Sequence, residues 1–101
     1  MKLKIQLVSE AYAQPGISSG RVGKTQYIRP KLDKTSRHTY FNLYDTVDAV
    51  KRTSSIECDD NLSFDFSTNQ MVYVNTLSKS KLVYQLESSE DLLLLQSEYN
   101  K

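Results

Sequence analysis

Little in this chain supports a catalytic or metal-binding reading: 101 residues include one cysteine, one histidine, no tryptophan, three glycines and two prolines. With Cys58 alone, no intrachain disulfide can form and no thiolate cluster can hold a metal. His38 is also alone, so a Ser/His/Asp arrangement or an imidazole metal site would rest on that single ring. Neither Cys58 nor any serine stands in a nucleophile motif. We therefore expect no enzyme and no cofactor, and His38, beside Arg37 and Tyr40, suits a surface or ligand-edge position. No apolar run approaches the ~18 residues of a membrane span. The start, Met1-Lys2-Leu3-Lys4, leads into alternation rather than into a signal-peptide core. These absences point to a cytoplasmic protein that does not use a membrane.

The residues that are present suit one small domain over 1–101. Hydrophobic residues make up 39% and charged residues 25%, enough for a modest core under a polar surface. The net charge of +1 conceals an asymmetry: residues 1–52 carry ten Lys/Arg against four Asp/Glu, and residues 53–101 carry three against eight. A basic half can attract polyanions from a nearly neutral molecule, because the local field governs encounter within a Debye length of about 8–10 Å. Equally, the two halves could neutralise one another within the fold or between subunits.

Alternation along the chain predicts mainly antiparallel strands. Residues 2–8 place Leu3, Ile5 and Leu7 on one side and Lys2, Lys4 and Gln6 on the other. Residues 9–23 read as a loop containing Gln14-Pro15-Gly16, Ser18-Ser19-Gly20 and Gly23. A second strand follows over 25–32, where Pro30 requires an edge or a bulge. Asp33-Lys34-Thr35-Ser36 turns the chain into a third strand over 38–44, with Phe41 and Leu43 towards the core and Tyr40 and Tyr44 opposite. Residues 45–52 suit one or two helical turns, capped by Asp45 and closed by Lys51 and Arg52. Leu62, Phe64 and Phe66 alternate, Thr68-Asn69 turns, and strands over 70–76 and 80–87 complete a meander. Ser88 to Tyr99 reads as a capped helix with acids at its start. Its Leu92, Leu93, Leu94 and Leu95 cover more than one helical face, so two can seal the core while the others meet a partner or a second subunit.

The stretch with most chemical content is Ser19-Gly20-Arg21-Val22-Gly23-Lys24-Thr25-Gln26-Tyr27-Ile28-Arg29-Pro30-Lys31-Leu32. In a strand, Tyr27, Arg29 and Lys31 share a face. A ring beside two cations suits a single-stranded nucleic acid, whose bases stack on the ring while the cations follow its phosphates. Gly20-Arg21-Val22-Gly23-Lys24-Thr25 is not a phosphate-binding P-loop, since Ser18 stands where that motif needs glycine and a strand, not a helix, follows.

The first 44 residues, through their short initial strand, polar loop and Ser19-Gly20-Arg21-Val22-Gly23-Lys24-Thr25-Gln26-Tyr27, resemble the amino-terminal part of the filamentous-phage single-stranded DNA-binding proteins. That resemblance implies a small dimeric OB-like barrel with a basic wing, and DNA contacts from Arg21, Lys24 and Tyr27. The strand order read from the chain is compatible with such a barrel, and the expected architecture is α+β: an OB-like, partly closed barrel, or a sheet with a short internal helix and a C-terminal helix.

Two functions follow as expectations. The first is a non-enzymatic binder of single-stranded DNA or RNA, with Arg21, Lys24, Arg29, Lys31 and Arg37 supplying charge and Tyr27, Tyr40 and Tyr44 supplying stacking. The second is a protein-interaction module, such as a viral or mobile-element inhibitor of a host protein, whose interface uses the tyrosines or the leucines of the terminal helix, since Tyr and Arg also anchor protein interfaces.

Overall fold

A computed structural model of the chain describes residues 1–12 and 20–101. Seven strands and one helix follow in order: β1 (Leu3–Ala11), β2 (Thr25–Lys34), β3 (Thr39–Tyr44), β4 (Ser54–Glu57), β5 (Leu62–Asp65), β6 (Gln70–Asn75), β7 (Ser80–Leu86) and α1 (Ser89–Tyr99). All strands join one antiparallel sheet in the order β4-β3-β2-β1-β7-β6-β5. The Gln14-Pro15-Gly16 turn and Ser18-Ser19 lie outside the described residues.

The alternation that marks each strand also sets its facing. Leu3, Ile5 and Leu7 of β1 are buried with Ile28, Phe41, Leu43, Ile56, Leu62, Met71, Tyr84 and Leu86, and α1 adds Leu92 and Leu95 to the same cluster. The helix begins where the sequence places its cap. Ser88 has extended backbone angles (φ −149°, ψ 164°), and its Oγ accepts from the Asp91 amide at 3.2 Å. Glu90 and Asp91 in the first turn complement the helix dipole. At the other end the Glu98 carboxylate accepts from the Leu32 amide at 3.2 Å and pairs with Lys101 at 2.9 Å. Hydrogen bonding to Lys101, then to the Leu32 amide, holds the Glu98 carboxyl below its ordinary range.

The sheet is open, which corrects the barrel expectation, because β4 and β5 end the strand order and do not pair. It is nonetheless strongly curled. Laid flat, seven strands separate the outermost two by ~29 Å at 4.7–4.9 Å per step. The five Cα–Cα steps from Glu57 of β4 to Leu62 of β5 span at most ~19 Å. The link therefore draws the two edges towards each other without closing the ladder. Its ends each extend their own side of the sheet, Cys58 N donating to Thr39 O at 2.8 Å and Val74 N to Asn61 O at 3.1 Å. The helix end sits over the link: Tyr99 donates to the Asp59 carbonyl at 2.8 Å, and its ring lies edge-on to Phe64 of β5, centroids 5.4 Å apart.

The short internal helix is a second correction. Residues 45–53 form bends and a turn, with one local bond from Ala49 N to Thr46 O at 3.3 Å. Thr46, Val47 and Val50 are β-branched, and the segment is well below the ~12 residues at which an isolated helix becomes marginal. Its polar groups instead serve as the β3–β4 connection, Thr53 N donating to Leu43 O at 2.8 Å. Strand β4, which that connection feeds, is not expected from the sequence, since in Ser54-Ser55-Ile56-Glu57 only Ile56 is apolar; pairing with β3 recruits it, Ile56 opposite Phe41. The β2–β3 turn also moves, to residues 35–38, where Thr35 N donates to His38 O at 2.8 Å.

Strand β2 lies between β1 and β3, so the edge alternative for Pro30 does not apply and the bulge alternative does. Ile28 faces Leu43 and Leu32 faces Phe41, so four residue steps on β2 match two on β3. The two extra residues accommodate the missing Pro30 donor. Because the excess is even, Leu32 returns to the core side, as parity predicts.

Candidate nucleic-acid interface

Side chains of β1, β2 and β3 that point away from α1 build the candidate face. Register places Lys4 of β1 opposite Tyr27 of β2 and Tyr27 opposite Tyr44 of β3. A cation and two rings thus form one cross-strand row. Arg29 and Lys31 are exposed and flank Pro30 in the bulge, while Tyr27 is half-buried between its neighbours. Lys24 precedes β2 and Arg37 follows it, both exposed. Since a strand rises about 3.3 Å per residue, Lys24, Arg29, Lys31 and Arg37 mark a track along the whole of β2 rather than a compact patch.

Arg21 sits in the turn that leads into β2. That turn has Lys24 N bonded to Arg21 O at 3.1 Å and Gly23 at its third position with φ +88°, a conformation that favours glycine. Gly23 N is tied to Leu7 O at 2.8 Å, so the turn packs against β1. The Arg21 guanidinium reaches Ser54 Oγ of β4 at 3.5 Å and is half-buried.

Two of the three expected stacking rings are covered. Tyr44 is 7% exposed, and Lys2 Nζ lies 3.9 Å from its ring centroid while donating to Ala49 O at 2.6 Å. Tyr40 is half-buried, with the Arg52 guanidinium 4.8 Å from its ring centroid. Among the described residues, Tyr27 has no such cation cover. Between the covered rings, Asn42 is 4% exposed and fully engaged, donating to Asp33 Oδ2 at 2.5 Å and accepting from Arg52 at 3.2 Å. A groove of about 280 Å³ runs past Asp33, Tyr40, Asn42, Tyr44, Val50 and Arg52.

Sequence reasoning missed Lys2, Lys4 and Arg52 as members of this face. Strand parity alone could have supplied Lys2 and Lys4. Arg52 had no such signal, because a turn that returns over β3 places it there.

The charge asymmetry is only partly a spatial one, since the acidic residues 53–101 include β4, which pairs with β3, and α1, whose Glu98 accepts from the Leu32 amide of β2. Apart from Arg21, no Lys or Arg of residues 1–52 forms an ion pair among the described residues. Between residues 1–52 and 53–101, an ion pair joins His38 Nδ1 to Glu57 of β4 at 3.2 Å, on the surface.

Cys58 lies inside the open edge, half-buried beside the core cluster. Desolvation, followed by the charges of Asp59 and Glu57, pushes its thiol up to about 12. A thiol so raised stays protonated and unreactive near neutral pH. Iodoacetamide should therefore label native Cys58 far more slowly at pH 8 than the urea-unfolded chain; equal rates would show an accessible, ordinary thiol. No group of His, Cys, Asp and Glu suited to hold a metal occurs among the described residues, and no described helix is long and apolar enough to cross a membrane.

On the opposite side of the molecule, Leu92 and Leu95 are fully buried while Leu93 is 53% and Leu94 45% exposed. The exposed pair lines a shallow apolar hollow with Glu90 and Ser97. No family model, curated protein or solved structure matches this chain.

Proposed function

We propose that this protein is a non-enzymatic binder of single-stranded nucleic acid that holds the strand along β2. The observation that carries the reading is Tyr27 on the outer face, paired with Lys4 and followed by exposed Arg29 and Lys31, none of these cations being in an ion pair. Unpaired cations release counterions on meeting phosphates, and a partly exposed ring beside them offers a stacking platform for a base. Sequence-tolerant binding follows. The resemblance of residues 1–44 to the phage single-stranded DNA-binding proteins points the same way. With Tyr40 and Tyr44 under cations, Tyr27 is the principal stacking ring.

Titration with labelled single-stranded DNA, single-stranded RNA and duplex DNA at two salt concentrations tests the proposal. Tight single-strand binding that weakens with salt is expected. Tyr27→Ala should cost about 1–3 kcal/mol of binding with little change in the salt slope, and Arg29→Ala should reduce the slope by about one. Parent-like binding by both folded variants would remove this face as the site.

A second reading, a protein-interaction module, is favoured by Leu93 and Leu94, which stay exposed on a helix whose other two leucines are buried. Absence of nucleic-acid binding even at low salt would move the weight to that side of the molecule.

A further inference from the structure

Arg52 forms no direct ion pair among the described residues and is nevertheless held in place. Its guanidinium stacks on the Tyr40 ring at 4.8 Å, and one Nη1–H donates to Asn42 Oδ1 at 3.2 Å. The amide of the next residue, Thr53, is bonded to Leu43 O at 2.8 Å, which fixes the local backbone against β3. No carboxylate pairs with Arg52. Asp33, the carboxylate in the same groove, is bonded to the opposite end of the Asn42 amide. The amide therefore stands between the two charges and links them without neutralising the guanidinium.

We propose that Arg52 is a preset phosphate-binding fork on this face, taking a phosphodiester of the same strand whose base stacks on Tyr27. The inference rests on the nucleic-acid reading above and adds a contact which that reading does not require. A guanidinium has five N–H donors in its plane. Of these, one is spent on Asn42, and the side chain, over the Tyr40 ring, is otherwise exposed. The remaining donors match a phosphate bidentately, and a side chain already fixed loses less freedom on binding than a free one. Lys2, held over Tyr44 four residues along β3, supplies a second fixed cation on the same face.

The bland alternative is a latch: Arg52 pins residues 45–53 to β3 and does nothing more. Anisotropy titrations of a labelled oligothymidylate over a salt series separate the two, run on the parent, Arg52→Ala, Arg52→Lys and Tyr27→Ala with thermal melts in parallel. Arg52→Ala is expected to bind about tenfold more weakly at low salt, as loss of a charge-assisted bond predicts, with a salt slope lower by about one. Arg52→Lys should keep the slope but lose several-fold in affinity, because it retains the charge without the fork. Parent-like binding by both Arg52 variants, with Tyr27→Ala weakened, overturns this inference and leaves the wider reading standing. No binding by the parent overturns both. Should Arg52→Ala melt early, the Arg52 Nε–H resonance of the parent decides. A shift on adding oligothymidylate supports the fork, and a stationary signal at saturation makes Arg52 a latch.

Discussion

Leu92→Ser and Leu95→Ser will each lower stability by at least about 2–5 kcal/mol, whereas Leu93→Ser and Leu94→Ser will melt close to the parent. The first pair is fully buried in the cluster that joins α1 to the sheet. Truncation there loses the transfer energy of the side chain and leaves a cavity, and Ser adds a hydroxyl to an apolar site. For a domain whose total stability is about 5–15 kcal/mol, either change threatens the fold. The second pair has its apolar surface already in water, so only a small loss of helix propensity is expected. Thermal melts measure this division, and sedimentation of Leu93→Ser and Leu94→Ser measures whether the exposed pair holds copies together. Four equally destabilised monomers would make the helix a lid on the core and nothing else.

The second large effect lies on β3, where neighbouring residues face opposite ways. Phe41→Ala should cost about 3–5 kcal/mol, because the ring is fully buried and its loss leaves a cavity in the core. Tyr40→Ala, one residue away, should cost about 1 kcal/mol, chiefly the stacking of Arg52 on a half-exposed ring. Urea unfolding midpoints give both numbers. Similar costs at the two positions would mean that the outer face of β3 is packed as tightly as the inner one.

Much of this architecture was legible because period-two alternation and one capped helix are local signals. Leu3-Ile5-Leu7, Phe41-Leu43 and Leu82-Tyr84-Leu86 announced strands and their inward faces, and Ser88 announced the start of α1. What escaped depended on distant partners. Ser54 to Glu57 became a strand only because β3 offered an unpaired edge. Residues 45–52 looked helical in charge order, but the connection from β3 to β4 and the bond from Lys2 shaped them otherwise. Curl without closure could not be read before the strand order was known. At the candidate face, Tyr27 stands opposite Lys4 and Tyr44, while Arg29 and Lys31 are exposed within the Pro30 bulge, where the alternation is interrupted. The covering of Tyr40 and Tyr44 was invisible, since the covering cations come from the chain start and from a turn returning over β3.

The strand order also dictates how the chain can assemble. Every pairing but one joins strands adjacent in sequence, so β1 to β4 form one meander and β5 to β7 another. Only β1 with β7 brings distant segments together. Hairpins can therefore form early and cheaply, and the loop-closure entropy of the long contact is met once, when the two meanders zip. That single junction is therefore expected to be the slowest contact to form. It also marks the point of failure, because the β7 of another copy offers β1 the same ladder. With the short 58–61 link as hinge, crowding during synthesis would favour an exchanged dimer built from native contacts.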